Sequence, residues 1–226
     1  MTWPWHVLVV CTGNLCRSPM AQYLAVAALR SAPAIASGSV TVDSAGTHAW
    51  DGRPMHRDAA TVLTQRGLDP RGFAARRLDA DMVSDADLVL CATREHRRAV
   101  VTMAPKAVRR TFTLREFARL TAGIALADII PADVIPAIGP GNVSAGDGGS
   151  VRSVRSVRSV RERGDKLIAV ALGRRGQTPA PQHPSDDDIA DPIGAPIEAF
   201  RSCADQISAA LAQPLELLTR AAQPGA

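Results

Sequence analysis

The chain has few aromatic residues, few cysteines and almost no lysine. Only 4% of its 226 residues are aromatic, with Tyr23 the single tyrosine, and two of its 26 basic residues are lysines. The four cysteines, Cys11, Cys16, Cys91 and Cys203, form neither a paired disulfide framework nor the CxxC pairs of a zinc site. Because free thiols survive in a reducing compartment, we expect a cytoplasmic protein.

The sequence also lacks a long hydrophobic run. The N-terminal stretch MTWPWHVLVV has no basic segment and is too short for a signal peptide. The most apolar stretch, AGIALADIIPADVIPAIGPG, contains two aspartates and three prolines, so we expect no membrane span. With 46% hydrophobic residues, the chain can still bury a globular core, and its length suits one domain with an insertion.

The positive charge is concentrated in one segment. Residues 151–175 hold seven arginines and one lysine against two acidic residues, a net charge of +6, which leaves 4 − 6 = −2 for the rest of the chain. One basic segment does not define a nucleic-acid-binding fold, and we expect no nucleic-acid partner. The segment either docks an acidic partner or anionic lipid or, as we favour, is a solvated and expanded repeat.

Strand-like and helix-like patterns alternate along the chain. Short apolar stretches typical of buried strands occur at 6–10, 39–47, 86–92 and 109–114. Helical patterns occur at 19–31, 55–66, 94–103, 114–122 and 197–211, the last stopped by Pro214. This alternation predicts an α/β fold with a four-stranded parallel sheet flanked by helices on both faces, in three αβα layers.

Residues 132–185 depart from this pattern because they are rich in proline, glycine, serine and arginine. Within them, SVRSVRSVRSVR repeats every three residues. On a helix this repeat would rotate the valines by roughly 60° at each step, and on a strand they would alternate faces. We therefore predict a single domain of residues 1–213, interrupted by a flexible, low-complexity insertion at 132–185 and followed by a C-terminal tail at 214–226.

The stretch CTGNLCRS places Cys11 at the end of a strand and Arg17 six residues later, before a helix. A loop in this position directs backbone N–H groups into one concavity, and Gly13 permits the tight path. Arg17 can bind two phosphoryl oxygens, while the helix N-terminus and the arginine favour a thiolate at Cys11. Ser18 can bond the thiolate or its neighbour and can cap the helix. The pattern favours a nucleophilic phosphate site over an ordinary turn with a buried thiol.

The longer stretch VLVVCTGNLCRSPMAQYL resembles the signature of the low-molecular-weight protein tyrosine phosphatases. The resemblance continues through VDSAGTHAWDGRPMHRDAATVLTQRGLD, ADLVLCATREHRRAV and DIADPIG, and covers residues 5–125 and 188–213. It implies hydrolysis of phosphotyrosine in proteins through a phosphocysteine intermediate, without metal or other cofactor. The implied partners are a phosphotyrosine-containing protein substrate and a tyrosine kinase.

The resemblance assigns roles by position. Cys11 would be the nucleophile, Arg17 the phosphate-binding arginine and Asp191 the general acid, which then activates water. Trp50 would form an aromatic wall of the substrate pocket. Asn14 would hold the loop's shape and Ser18 would support the thiolate. The expected phosphate-binding loop consists of Thr12, Gly13, Asn14, Leu15, Cys16 and Arg17, with Ser18 behind it.

Two positions depart from the family's pattern. Ile193 stands where many relatives have a tyrosine after the Asp-Pro pair, which predicts looser selectivity for phosphotyrosine. Phe73 stands where some relatives have a histidine that supports the loop asparagine, so Asn14 has to be held differently. The neighbouring acids at 186–188 remain alternatives to Asp191.

Rival interpretations concern the other thiols and the activity. Cys16 either forms a reversible disulfide with Cys11 or contributes only its backbone N–H, and Cys91 and Cys203 are predicted core residues. An arsenate reductase on the same fold would need two further thiols in a relay, yet only Cys203 follows Cys91. A non-catalytic phosphate- or phosphopeptide-binding module would need neither Asp191 nor a reactive Cys11.

Overall fold

The computed structural model describes residues 3–32, 38–129 and 148–219, with the backbone alone in residues 148–159. Strands and helices alternate over most of this length. The strands are β1 (Trp5–Cys11), β2 (Val40–Gly46), β3 (Leu88–Cys91) and β4 (Thr111–Thr113). The helices are α1 (Arg17–Arg30), α2 (Arg57–Gln65), α3 (Ala80–Asp85), α4 (Arg94–Met103), α5 (Leu114–Thr121), α6 (Gly148–Arg174) and α7 (Ile197–Thr219).

The four strands form one parallel sheet in the order β2-β1-β3-β4. Cys11 pairs with Gly46, and Val10 pairs with Cys91, so the carboxyl ends of three strands meet at one edge of the sheet. The predicted four-stranded parallel sheet is therefore confirmed. In sheets of this kind, ligands bind at that edge.

Alternate residues of β1 face two separate cores. Val7 and Val9 join a cluster that includes residues of α1, α2, α5, α6 and α7. Leu8 and Val10 join a second cluster with residues of α3 and α4. Both faces of the strand are buried, which explains its continuous apolar sequence and confirms the three layers.

Local signals account for the starts of helices α5 and α3. Thr113 caps α5 with a reciprocal capping box, because its hydroxyl accepts from the Glu116 N–H while the Glu116 carboxylate accepts from the Thr113 N–H. The short helix α3, which the sequence patterns did not predict, begins at Asp79, whose carboxylate accepts from the Met82 N–H at 2.8 Å.

Helix α6 corrects the expectation of a flexible insertion at 132–185. Its second half is packed, with Val160, Leu167 and Ala171 buried along one stripe. Gly164 lies on the same stripe, where a Cβ would overlap the indole ring of Trp5. Among the described side chains, the apolar stripe runs from Val160, the last valine of the repeat, to Ala171. Residues 132–147 of the predicted insertion lie outside the described residues.

Arginines anchor α6 to the rest of the domain. Arg161 binds both carboxylate oxygens of Asp87, at 2.7 and 3.1 Å. Arg175, one residue past the helix, bonds Glu116 at 2.9 Å and lies over the ring of Phe112. Both guanidinium groups are bonded within the domain, and docking of an acidic partner on 151–175, the alternative to a solvated repeat, stays a prediction.

The predicted tail at 214–226 is wrong for its first residues. Helix α7 continues through Pro214 to Thr219, and Leu215, Leu217 and Leu218 are buried. A proline inside a helix costs one hydrogen bond, but burying three leucines contributes more. Residues 220–226 lie outside the described residues. No helix in the described ranges is both long enough and apolar enough to cross a membrane.

Candidate active site

The loop between β1 and α1 lies at the carboxyl edge of the sheet. It packs directly against the end of β2, where a Cβ at Gly46 would lie 2.6 Å from the Thr12 carbonyl oxygen and 2.7 Å from the Asn14 nitrogen. The next segment follows the loop closely, because the His48 N–H donates to the Thr12 carbonyl at 2.9 Å. Glycine at position 46 therefore permits the approach that shapes the loop.

The thiol of Cys11 is buried and close to a hydroxyl. Its Sγ lies 3.0 Å from Ser18 Oγ, which can donate to a thiolate there. This contact corrects the expected capping role of Ser18: the N-cap of α1 is Cys16, and Ser18 lies inside the helix. The serine hydroxyl is directed to the thiol instead of to the backbone of the first turn.

Asn14 holds the loop from its centre. Its φ of 53° is the one positive φ among the described residues other than glycine, a conformation that asparagine tolerates better than most residues. Its Nδ2 donates to Ser18 Oγ and Ser44 Oγ, both at 2.9 Å, and its Oδ1 accepts from the Arg76 N–H at 2.8 Å. Phe73 replaces the histidine that supports this asparagine in some relatives. In this protein, the backbone N–H of Arg76 supports Asn14 instead.

Arg17 is 5% exposed and lies between the loop and a distant segment. Its Nη2 donates to Asp191 Oδ2 at 2.6 Å and to Thr12 Oγ1 at 3.2 Å, and its Nη1 donates to the Ile189 carbonyl at 3.3 Å. Its Nε–H is buried and bonds none of the described residues. The guanidinium therefore retains a donor for a bound anion.

The four neighbouring aspartates have different surroundings. Asp187 binds Arg119 at 2.9 Å, Asp188 accepts from the Arg94 N–H at 2.7 Å, and Asp186 accepts from the His183 N–H at 2.9 Å. The contacts of Asp187 and Asp188 anchor the segment to α5 and α4, whereas the contact of Asp186 lies within the segment itself. Of the four carboxylates, only Asp191 bonds Arg17.

A histidine that sequence reasoning missed lies behind the loop. His96 Nε2 is 2.8 Å from Thr12 Oγ1, and His96 Nδ1 is 2.7 Å from Thr93 Oγ1. Burial, with a smaller contribution from Arg17, lowers the pKa of His96 to about 4, so the ring is neutral at neutral pH. The one available signal was the threonine three residues before the histidine, a common helix N-cap spacing.

Two large apolar side chains are exposed near the loop. Trp50 is 76% exposed and follows the 46–48 segment that packs on the loop. Ile193 is 50% exposed and lies beside Asp191, whose Oδ1 accepts from the Ile193 N–H at 3.3 Å. Both side chains are exposed, and the role of Trp50 as a wall of the substrate pocket stays a prediction.

The remaining thiols are buried. Cys91 and Cys203 are 0% and 3% exposed, which confirms them as core residues. Burial raises the pKa of Cys16 far above its usual value and that of Cys203 to about 12, so both thiols are protonated at neutral pH. All four cysteines are free, and a disulfide between Cys16 and Cys11 stays a prediction. Among the described residues, no group of three histidine, cysteine or acidic side chains could hold a metal ion.

Comparison with known sequences identifies the family. The model for low molecular weight phosphotyrosine protein phosphatases matches residues 6–129, which is more than half of the chain. The chain belongs to this family, whose members are phosphatases of phosphoproteins. The expected family resemblance is confirmed: the matched residues include the loop and two of the three further stretches, while DIADPIG lies beyond residue 129.

Curated relatives carry two kinds of name. Over 105 residues, the chain is 37% identical to the low molecular weight protein-tyrosine-phosphatase Etp of Escherichia coli, covering 46% of this chain and 66% of Etp. Over 120 residues, it is 36% identical to a protein-arginine-phosphatase of Geobacillus stearothermophilus, covering 53% of this chain and 76% of that protein. The chain thus spans about two thirds to three quarters of these relatives' lengths.

The similar solved structures also include both arginine phosphatases and tyrosine phosphatases. The YwlE arginine phosphatase from Geobacillus stearothermophilus aligns with a TM-score of 0.58 at 25% identity, covering 94% of this chain and 92% of that one. The tyrosine phosphatase AmsI from Erwinia amylovora aligns with a TM-score of 0.59 at 21% identity, covering 96% and 95%. The second likeness establishes the fold alone.

The tertiary structure brings most of the sequence-predicted residues together. Cys11, Arg17 and Ser18 meet at the loop, Asn14 lies at its centre, and Asp191 reaches it from 174 residues further along the chain. Sequence reasoning missed the supports, which are Ser44, Arg76, Thr93 and His96.

Proposed function

We propose that this protein hydrolyses phosphotyrosine in proteins through a phosphocysteine intermediate. Cys11 is the nucleophile, Arg17 binds the phosphoryl group and Asp191 is the general acid. The single observation that carries the proposal is the 2.6 Å contact between Arg17 and Asp191, because it brings a distant carboxylate to the guanidinium that ends the cysteine loop.

The first chemical step is attack of the Cys11 thiolate on phosphorus. An S–P bond forms and the bond from phosphorus to the phenolic oxygen breaks, while Asp191 gives its proton to that oxygen. Arg17 and the loop N–H groups neutralise the charge on the three phosphoryl oxygens. A phosphoryl group competes with Asp191 for Arg17, and the carboxyl released by this exchange lies beside the leaving group.

The second step reverses the role of the acid. Asp191, now a carboxylate, takes a proton from water as the water oxygen bonds phosphorus. The S–P bond breaks, Cys11 leaves as a thiolate, and inorganic phosphate is released. The hydroxyl of Ser18, 3.0 Å from the sulfur, donates to the departing thiolate and stabilises it.

An aryl leaving group suits the surroundings of the loop better than a guanidino group. The exposed apolar residues next to the site, Trp50 and Ile193, offer stacking and contact area to a phenyl ring. Phosphoarginine is the second candidate substrate, because a curated sequence and a solved structure, both from Geobacillus stearothermophilus, are named arginine phosphatases. A charged guanidino group would prefer a further carboxylate beyond Asp191.

The deciding experiment compares substrates on the purified protein. Phosphotyrosine and phosphoarginine peptides of one sequence are assayed in parallel with chelator present, and arsenate reduction is assayed separately. We expect phosphotyrosine to be turned over at the higher kcat/KM and Cys11→Ser to lose at least about 1000-fold. A higher kcat/KM for phosphoarginine would show that phosphoarginine, not phosphotyrosine, is the preferred substrate. Turnover by Cys11→Ser would show that Cys11 is not the nucleophile. Binding without turnover would favour the non-catalytic module.

The proposal extends to compartment and partner. The four free, buried thiols suit a reducing cytoplasm, and a substrate phosphorylated on tyrosine requires a tyrosine kinase in the same compartment. Cell fractionation followed by immunodetection tests the compartment. Recovery of the protein only in an oxidising compartment would contradict it.

A further inference from the structure

His96 occupies an unusual position for a helix residue. It lies in the first turn of α4 and is 5% exposed, yet both ring nitrogens bond hydroxyl groups. Nδ1 contacts Thr93, the N-cap of the same helix, at 2.7 Å, and Nε2 contacts Thr12 of the phosphate loop at 2.8 Å. The imidazole therefore connects α4 to the loop through one side chain.

One donor in this chain of bonds is fixed. Arg17 carries only donors, so its Nη2 donates to Thr12 Oγ1 at 3.2 Å. The His96 tautomer with its proton on Nδ1 continues this order, because the Thr12 hydroxyl then donates to Nε2 and Nδ1–H donates to Thr93 Oγ1. In this order, the lone pair on Nε2 of His96 faces the Thr12 hydroxyl, which in turn accepts from the Arg17 guanidinium. Each hydrogen bond then polarises the next. It requires a neutral ring, as the lowered pKa of His96 provides at neutral pH.

The hydrogen-bond chain from Arg17 to Thr93 matters most when a phosphoryl group is bound. In the free protein, Arg17 Nη2 is shared between Asp191 at 2.6 Å and Thr12 at 3.2 Å. A phosphoryl group draws Arg17 away from Asp191, which leaves Thr12 and the Ile189 carbonyl as its protein acceptors. An unanchored arginine would lose side-chain entropy on binding.

We propose that His96 is a positioning residue for phosphate binding, which fixes the Thr12 hydroxyl so that Thr12 holds Arg17 in its anion-binding orientation. This inference rests on the proposed function for the identity of the loop as a phosphate site. His96 touches no reacting atom, and its effect passes through Thr12.

The test measures the dissociation constant of inorganic phosphate beside kcat and KM for an aryl phosphate. His96→Phe keeps the ring but removes the acceptor, and Thr12→Val removes the hydroxyl at nearly equal volume. Each is expected to weaken phosphate binding and kcat/KM by about tenfold, the effect of one lost hydrogen bond. His96→Gln, whose carbonyl can accept in place of Nε2, is expected to recover part of the loss. Thr64→Val, at an exposed hydroxyl on α2, is the matched control.

The double variant separates positioning from general packing. If His96 acts through Thr12, Thr12→Val combined with His96→Phe loses no more than either single variant. Additive losses, or wild-type phosphate affinity in His96→Phe, would overturn the inference. If His96→Phe does not fold, nitrogen chemical shifts of the wild-type ring decide, because protonation at Nε2 would contradict the assigned chain. An inactive wild type would reject the proposed function, whereas the phosphate affinities would still test His96.

Discussion

The phosphate loop and helix α6 both contain arginines, but they use them in opposite ways. Arg17 of the loop is buried, shares one nitrogen between Thr12 and Asp191, and keeps its Nε–H without a partner among the described residues. Arg161 and Arg175 of the α6 region instead bind internal carboxylates of Asp87 and Glu116. Arg17 thus keeps one donor without a partner among the described residues, whereas Arg161 and Arg175 are bonded to carboxylates of the domain.

The difference shows that an arginine's role depends on which acceptors surround it. The basic segment contributes the chain's excess positive charge, yet the described guanidinium groups at Arg161, Arg174 and Arg175 bond protein oxygens. The loop has a single arginine, and its neighbours leave a donor available. The segment that carries the excess positive charge thus holds arginines bonded within the domain, whereas Arg17 of the loop keeps its Nε–H without a partner among the described residues.

The largest effect is expected from exchanging Arg17 for lysine. Lysine keeps the charge but cannot make the paired contacts of a guanidinium, so kcat/KM for an aryl phosphate should fall by about 100- to 1000-fold. Arg175→Lys, the matched exchange in the α6 region, should leave kcat/KM within about twofold at a temperature where both proteins are folded. Equal losses in the two variants would remove the distinction between the regions.

The next effect concerns the acid carried by the 184–193 segment. Asp191→Asn should lose about 100-fold in kcat on a substrate with a poor leaving group and much less on one with a good leaving group, since only the former needs the proton. Asp186→Asn, which alters a local hydrogen bond within the same segment, should show no leaving-group dependence. If Asp191→Asn lost the same factor on both substrates, another residue would be the acid.

The α6 region should respond in stability instead of activity. Leu167 is fully buried, so Leu167→Ala should lower the free energy of unfolding by about 2–4 kcal/mol, with kcat/KM unchanged for the folded protein. Lys166→Ala, at the exposed neighbouring position, should change stability by less than about 0.5 kcal/mol. Denaturant unfolding followed by circular dichroism measures both. If both variants changed the free energy of unfolding by the same small amount, α6 would be a loosely attached insertion and not part of the core.

The last prediction is a pH dependence of stability at His96, which does not bear on activity at neutral pH. The folded pKa of about 4 lies below the unfolded value of about 6.5, so the unfolded chain binds more protons between these two values. Stability should therefore fall as the pH is lowered through this window, by up to about 3 kcal/mol. Arg17, Asp191 and His48 face the ring and modulate the shift.

His96→Phe should lose less stability than the wild type over the same pH range. His6, whose pKa is raised by Asp43, is present in both proteins and cancels in the difference. Parallel stability curves between pH 6.5 and 4 would show that His96 titrates normally. Unfolding in urea at several pH values provides the measurement.

The sequence predicted the elements that depend on local patterns. The apolar strands, helix α4 and the Cys11–Arg17 loop follow from period, capping and spacing. It failed at Ser18, which was expected to cap α1 but bonds the thiol, and at Pro214, which was expected to end α7. In both cases tertiary packing outweighed a local preference.

The sequence alone determined that a cysteine and an arginine share one strand-to-helix loop, because six residues of chain fix that proximity. Only the tertiary structure decided which of four aspartates reaches Arg17, because that contact joins positions 174 residues apart. It also decided that Arg76 and Ser44 hold Asn14. The physical reason is that a buried polar group needs a partner from whichever element lies beside it, and only the fold determines that neighbour.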